Sequence, residues 1–586
     1  VAARWCTSRR VAALACQFIV LLLAAACTSS GAEPVLAMYP IDGSVAAAPT
    51  TAISFRGPPE ADLGDLVVTG SASGTIEGRV VTHADGAGLS FHPDHRLEPG
   101  EDITIDTGAA VAGDGDLGFR VAVPAQPPEE LPSRGEVELP APVLRDLVTM
   151  PDAAVPAVTV TGDVGQGVHL STPAAHAGSD MGAQITDATG ELVWWRPSPA
   201  EGVTLGALEQ HELDGQPVLA WFEGTAPFGV GNYQGEWIVV DAAYQEVARL
   251  PGGNGIATDL HDLVITPTGT ALIMAYHPIV MDLSEHGGDD TAIVMDNVVQ
   301  EVDIASGDVL LEWHSVDHIP LTDTMESDLA EDEIVDYAHI NAADVDADGR
   351  VVLSLRHTSQ IVEIDRVTGE RIWSLGGTSP TADVGEDRGV SYPHHVRWVD
   401  EDTISVFDNG VGMDPLTSRG VVYELSPDRQ AAEVVAEYHA EPVTYTVRQG
   451  SLQLGLSDGG ALAMWSVPGT ATRFDATGEP SGSVDLGTTS YRIFESDDWV
   501  GQPAEPPVVV ATGPGELVVS WNGATLVDRW EVLAGSTAVA VAPAESFETR
   551  LSLPDDVGTQ AGSVTVRALG ADGTELEGSA VTTLVR

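Results

Sequence analysis

The sequence predicts an all-β protein: a six-bladed β-propeller flanked by an N-terminal Ig-like and a C-terminal fibronectin III-like β-sandwich. Three observations predict it. Helical periodicity is nearly absent along the 586 residues, while short alternating runs bounded by Gly, Pro, Asn and Asp recur throughout. A strand–turn–strand unit with Asp at the turn repeats across the middle of the chain, at a spacing of about 50–60 residues that suits four-stranded blades. Proline-rich joints set this array off from further alternating strands at each end.

Residues 1–27 read as an export signal. Arg4, Arg9 and Arg10 precede the apolar run "VAALACQFIVLLLAAAC", which is short for a membrane span and ends in small residues. Leu23, Ala24, Ala25 and Ala26 before Cys27 are similar to a bacterial lipobox, although Ala24 stands where a leucine is usual. Cys6 and Cys16 fall within the segment to be removed, so Cys27 would be the sole cysteine of the mature chain. The reading is a lipid anchor at Cys27, which puts the protein on the outer face of the cell membrane; the alternative is cleavage after the alanines and secretion.

Residues 35–125 carry six short strands, among them "TAISFRG", "AGLSFHP" and "EDITIDTG", in the pattern of a small Ig-like sandwich. They hold no cluster of reactive side chains. Residues 150–500 form the array. Its outer hairpins are "AQITDATGELVWW", "WIVVDAAYQEVARL", "QEVDIASGDVLLEW", "VEIDRVTGERIWSL", "VVYELSPDRQAAEVV" and "TRFDATGEPSGSV", with Asp187, Asp241, Asp303, Asp365 and Asp475 marking the turns of all but one. The joint "GQPAEPP" then leads into residues 505–586, a fibronectin III-like sandwich.

Composition narrows the function. The net charge is −62, from 88 acidic and 26 basic residues, which excludes nucleic acid as a partner because phosphates would be repelled over most of the surface. Every basic residue is arginine, so Schiff-base chemistry and a lysine general base are ruled out. Hydrophobic residues make up 43% of the chain, enough for large cores.

The richest stretch is "DYAHINAADVDADGRVVLSLRH", residues 336–357. It places His339, Asn341 and Arg356 on two strands joined by an Asp-Gly turn. Histidines recur ahead of the corresponding strands elsewhere: His211, His261 in "DLHDLVITPTGTALIMAYH" and His394 in "YPHHVRWVDEDTISVFDNG". Equivalent positions in successive blades face one axis, so these residues should meet at one mouth of a central channel. Imidazoles, a primary amide and a guanidinium converging there make an anion-handling site.

A calcium loop starting at Asp344, Asp346, Asp348 and Gly349 is excluded as an EF-hand, since Leu355 stands where the bidentate glutamate belongs. A tight hairpin is the reading. No metal is expected: the histidines lack a ligand pair at helical spacing and an acidic partner at a fixed offset, and Arg356 beside them disfavours a cation. Trp194, Trp195, Trp313 and Trp373 read as packing between blades; Trp221, Tyr276, Trp398 and Phe407 are candidate lining of an aromatic pocket.

With these blocks in view, "DLHDLVITPTGTALIMAY", "VVQEVDIASGDVLLEWHSVDHIPL", "DYAHINAADVDADGRVVLSLRHTSQIVEIDRVTGERIW" and "TISVFDNG" resemble the bacterial arylsulfotransferase family over about 350 residues. The resemblance implies a six-bladed propeller that moves a sulfuryl group between phenols without the nucleotide sulfate donor (PAPS), through a histidine nucleophile. Carried over, that nucleophile is His394, with His261 and His339 assisting, Asn341 as the amide and Arg356 holding the sulfate. The family usually shows a Gln-His pair where this chain has Pro393, His394 and His395, which leaves His394 and His395 both open.

The chemistry is coherent on its own terms. A planar guanidinium suits a singly charged sulfate ester, a neutral imidazole can attack sulfur, and fixed donors stabilise charge on the equatorial oxygens. The function expected is therefore an exported ping-pong arylsulfotransferase passing through a sulfohistidine. Its partners are phenols and phenolic sulfate esters, and it needs no cofactor and no metal. An aryl sulfate hydrolase using the same site and a non-catalytic binding or adhesion propeller are the alternatives.

Overall fold

A computed structural model describes residues 35–57, 63–113, 116–128, 139–229, 231–554 and 562–585. The export-signal and lipobox reading at residues 1–27, Cys27 included, lies outside the described residues. The described residues are all-β, their helical content confined to the single turn Ser315–His318 and two short 3-10 turns. Among the described residues no helix is long and apolar enough to cross a membrane.

Between residues 159 and 496 the strands form four-stranded antiparallel meanders. Strands Ile340–Val345, Val351–Leu355, Gln360–Ile364 and Arg371–Gly376 make one; His394–Asp400, Thr403–Asp408, Arg419–Leu425 and Ala432–Tyr438 make the next. Two meanders, starting at Thr204–Leu213 and Thr258–Ile265, are joined through Gly235 and Thr258 into a nine-stranded sheet that also takes in Ile334–Val335. Another runs from Ser451–Gln453 to Pro480–Asp485 and accepts Thr159–Gly162 at its outer edge. In the remaining sheet the late strand Ser490–Ser496 pairs with the early strand Val168–Pro173. Both ends of the array are therefore stitched to each other by backbone hydrogen bonds.

The first strands of the meanders touch in order. Thr204–Leu213 meets Thr258–Ile265, which meets Ile340–Val345, then His394–Asp400, Ser451–Gln453 and Ser490–Ser496, which returns to Thr204–Leu213. The Asp at each outer hairpin has a local cause: Oδ1 of Asp187, Asp241, Asp303, Asp365 and Asp475 accepts backbone N–H groups two to four residues on, closing an Asx turn. Where the marker is missing, Ser426 and Asp428 hold the turn instead.

The sequence DADG is such a hairpin. Asp346 Oδ1 accepts from Asp348 and Arg350, and Gly349 sits at φ 81°, a conformation that favours glycine. The predicted packing tryptophans are buried, and Trp313 donates to the carbonyl of Gly369 in the neighbouring sheet at 2.9 Å.

Residues 35–121 build two further four-stranded sheets around Met38, Ile53, Phe55, Phe91, Ile103 and Phe119. After residue 507, a three-stranded and a four-stranded sheet enclose Leu517, Trp530, Val532, Leu551 and Val566. The latter unit is bonded to the array through Asn522, which both accepts from and donates to the backbone of Trp195.

Candidate active site

Each inner strand that bears a candidate residue is irregular. The pairing register shifts between Thr258 and Leu263, between Ile340 and Ala342, and between His394 and Arg397. Such bulges break the strict alternation of side chains and re-aim them. His339 and His395 have φ near 51°, an uncommon conformation for residues other than glycine. The strands are thus bent where the histidines sit, and three of these histidines come together.

His261 and His339 meet edge to face with ring centroids 5.0 Å apart, and His339 stacks on His357 at 4.5 Å. Tyr276 and Tyr491 close the other sides of His261, at 5.6 and 5.4 Å. His261 and His339 are each held through Nδ1 by a carboxylate. His339 donates to Asp336 Oδ2 at 2.6 Å, and His261 Nδ1 is in close contact with Asp259 Oδ1, which also accepts the His261 N–H. His357 donates instead to the backbone carbonyl of Asp336. Burial, with His339 and then Arg356 nearby, keeps His357 well below the ordinary imidazole value.

His394 is fully enclosed and oriented from two sides. Its Nδ1 donates to Asn409 Oδ1 at 2.6 Å, and its Nε2 accepts the Gln449 N–H at 3.1 Å. Burial holds it well below the usual imidazole value, and the positive charge of Arg356 pushes the same way, as do His339 and His261. His394 is therefore a neutral imidazole facing the Arg356–His339–His261 group.

His395 faces elsewhere. Its Nδ1 accepts the Leu452 N–H at 3.2 Å, its ring leans on Phe494, and its charged neighbours are Arg397 and Arg492. Adjacent residues on a strand point to opposite faces, and here only His394 shares surroundings with Arg356.

Arg356 follows the strand Val351–Leu355. Its guanidinium lies over the Tyr392 ring, 4.8 Å from the centroid, and donates to the carbonyl of Val447 at 3.2 Å. Asn341 is fully buried, and its amide donates to the carbonyl of Pro393 at 2.8 Å. That bond fixes the backbone just before His394.

His211 is not part of this group. It lies beyond its own strand's bulge, which falls between Gly206 and Glu209, and so sits further along the strand than the other three. There it joins a separate charged layer with Glu209, Asp262 and Arg397, where burial lowers it to about 4. At the centre of that layer Asp262 takes paired bonds from Arg397, both at 2.7 Å, and a further one from Arg492. Of the candidate aromatics only Tyr276 reaches the histidines. Trp398 covers Arg350, Phe407 packs on Trp465, and Trp221 lies against Trp194.

Sequence reasoning missed Asp259, Asp336, His357 and Asn409. The signal was present in "DLHD", "DYAH" and "FDNG". The two carboxylates stand two and three residues before their histidines, so no fixed offset betrays them, because each strand enters its bulge differently.

The inner strands of this all-β array thus bring His261, His339 and His394 into the surroundings of Arg356. Residues 209–482, a stretch that contains all five candidate residues, match the family model described as arylsulfotransferase (ASST). No curated protein matches the chain. Among solved structures it is similar to a protein of unknown function from Bacteroides caccae, with 15% identity and a TM-score of 0.36, covering 57% of this chain and all of that one. It is also similar to a catalytically inactive virginiamycin B lyase from Staphylococcus aureus with quinupristin, with 9% identity and a TM-score of 0.29, covering 68% and 99% of the two chains. Hydrazine synthase from Kuenenia stuttgartiensis follows with 14% identity and a TM-score of 0.22, covering 54% and 67%. No functional argument rests on likenesses this distant.

Proposed function

We propose that this protein is an exported arylsulfotransferase that carries a sulfuryl group from a phenolic sulfate ester to an acceptor phenol in two steps through a sulfohistidine on His394. The meanders are then the six blades of a propeller, with Ig-like and fibronectin III-like sandwiches before and after it. The observation that carries the reading is the state of His394: neutral, with Nδ1–H committed to Asn409 and a lone pair on Nε2, facing a guanidinium and two carboxylate-bound imidazoles. The match of residues 209–482 to the arylsulfotransferase family model supports the aryl sulfate class of substrate.

In the first step the ester's sulfuryl group takes the place of the Gln449 N–H against Nε2, with its oxygens toward Arg356. Nε2 attacks sulfur, the S–N bond forms and the S–O bond to the aryl group breaks. His261 or His339, each backed by a carboxylate, supplies the proton to the departing phenolate. In the second step an acceptor phenol returns a proton to that imidazole, its oxygen attacks sulfur, and the S–N bond breaks. Fixed donors around sulfur lower both barriers without reorganising. Exported phenols would reach the site from a chain held at the cell surface through Cys27.

The test is incubation with p-nitrophenyl sulfate, with and without added phenol, following p-nitrophenol release and product mass. Sulfated acceptor in proportion to released p-nitrophenol is expected. Release as inorganic sulfate alone makes the protein a hydrolase, and no release from any aryl sulfate sinks the catalytic reading.

A further inference from the structure

A second histidine cluster, on another part of the same array, has the composition of a metal centre. His277 and Asp296 face each other directly across the long strand pair Thr270–Met281 and Ala292–Asp303, and His314 ends the next strand, Val309–His314. One ligand atom from each residue lies within 4.8 Å of the others, and all three residues are buried. His277 follows Tyr276, and alternation along the strand turns it away from the candidate active site.

The atoms around Asp296 do not balance. Asp296 Oδ1 accepts from Ser315 and Val316, which leaves Oδ2 for the two imidazoles. His314 Nδ1 lies 2.6 Å from it, and His277 Nδ1 lies 4.0 Å from it. The His277 Nδ1 is buried with no hydrogen-bond partner, and His277 is only 8% exposed. Asp317, which faces both His314 and Asp296, has a buried Oδ2 that is likewise unpartnered. A buried imidazole nitrogen without a partner beside a buried carboxylate leaves a polar gap that a bound cation would fill.

The outer contacts are those that orient metal-bound imidazoles. His314 directs Nε2 at Glu312 Oε1, 3.3 Å away, and Glu312 Oε2 is itself fixed by Gln300 at 2.7 Å and Asn254 at 2.8 Å. The second edge of His277 faces the carbonyl of Ala46.

We propose that His277, Asp296 and His314 form a structural binding site for a zinc-class divalent cation. Two imidazoles and a carboxylate suit zinc, and their burial away from the candidate active site suits a structural role. Its place in the fold gives it a task. Val45 N–H donates to Asp317 Oδ1 at 2.9 Å, and Ala52 N–H donates to Asn254 Oδ1 at 3.0 Å. The cation would pin the N-terminal sheets to the hairpin that carries Tyr276.

The test uses the whole protein, stripped with a chelator, reloaded with zinc chloride, gel-filtered and analysed for metal. One zinc per chain is expected in wild type and in Arg356→Lys, and its loss in His277→Gln and Asp296→Asn. Zinc should raise the melting temperature of wild type by about 5 °C, and that of His277→Gln not at all. Cobalt in place of zinc should give the visible bands of tetrahedral coordination. Wild type without zinc or cobalt above background overturns the proposal, whether or not the variants fold. So does zinc that survives His277→Gln, or that leaves with His339→Gln instead, which would move the metal to the cluster of Asp336, His339 and His357.

Discussion

The side-chain oxygen of Asn409 lies 2.6 Å from His394 Nδ1, and the same amide's nitrogen donates to the carbonyls of Thr446 and Gln449, both at 2.9 Å. Those two bonds fix which end of the amide faces the ring. An oxygen there can only accept, so Nδ1 must carry the hydrogen and Nε2 must keep its lone pair. One buried asparagine thereby selects the tautomer that nucleophilic attack on sulfur requires.

Asn409→Leu should therefore lose activity by about 100-fold or more, with the loss in kcat, because Nδ1 then keeps only the longer contact to the Tyr392 carbonyl and the ring loses its main orienting bond. Asn409→Asp, which keeps the acceptor, should recover a substantial part of it. Steady-state kinetics on p-nitrophenyl sulfate decides: equal activity in the leucine variant and wild type would remove Asn409 from the mechanism.

Arg356→Lys should cost about 100-fold, since a point charge cannot replace a planar fork on a tetrahedral anion. The guanidinium lies on the face of Tyr392 and bonds the carbonyl of Val447, a geometry an ammonium cannot copy. Thermal melting run alongside separates lost chemistry from lost fold, and near-wild-type turnover would place Arg356 outside the reaction.

The pH dependence follows from His394. Burial and the neighbouring Arg356 hold it well below its ordinary 6.5, so the ring stays neutral as pH falls through that value. A nucleophile in this state loses its lone pair only at lower pH, and the acid limb of kcat/KM should lie below 6.5. Samples quenched in alkali give the profile free of the titration of p-nitrophenol itself. An acid limb at or above 6.5 would assign the essential base to another group.

Asp262→Ala should destabilise the fold by about 3–5 kcal/mol, because it leaves the guanidinium groups of Arg397 and Arg492 buried without their shared carboxylate. Urea denaturation measures this. A change of less than about 1 kcal/mol would mean that water reaches the layer and replaces the carboxylate.

The all-β class was legible because turn chemistry and alternation are local, and the turn aspartates announce their hairpins. The recurrence that brought His261, His339 and His394 to notice is local too. The limit is the bulge. A register shift decides whether a strand position reaches the cluster or the next layer, which is why His211 stands with Asp262 and Arg397, and why His394 and His395 have different neighbours. Partners such as Asn409, 15 residues away from His394, become visible only when the strands are paired.

The carboxylates behind the assisting histidines give the last prediction. Asp336 holds His339 through Nδ1, as Asp259 holds His261, and a carboxylate there fixes the ring that would protonate a departing phenolate. Asp336→Asn keeps a hydrogen-bond acceptor but removes the charge. If His339 is the acid, kcat should fall by about 10–100-fold while KM changes little. The fall should also be uneven: a phenolate as stable as p-nitrophenolate needs little help in leaving, whereas a basic phenolate needs the proton. A series of aryl sulfates with increasingly basic leaving groups should therefore lose progressively more activity in Asp336→Asn than in wild type. A uniform loss across the series would reduce Asp336 to a structural support. A steepened series in Asp259→Asn and not in Asp336→Asn would move the proton donor to His261.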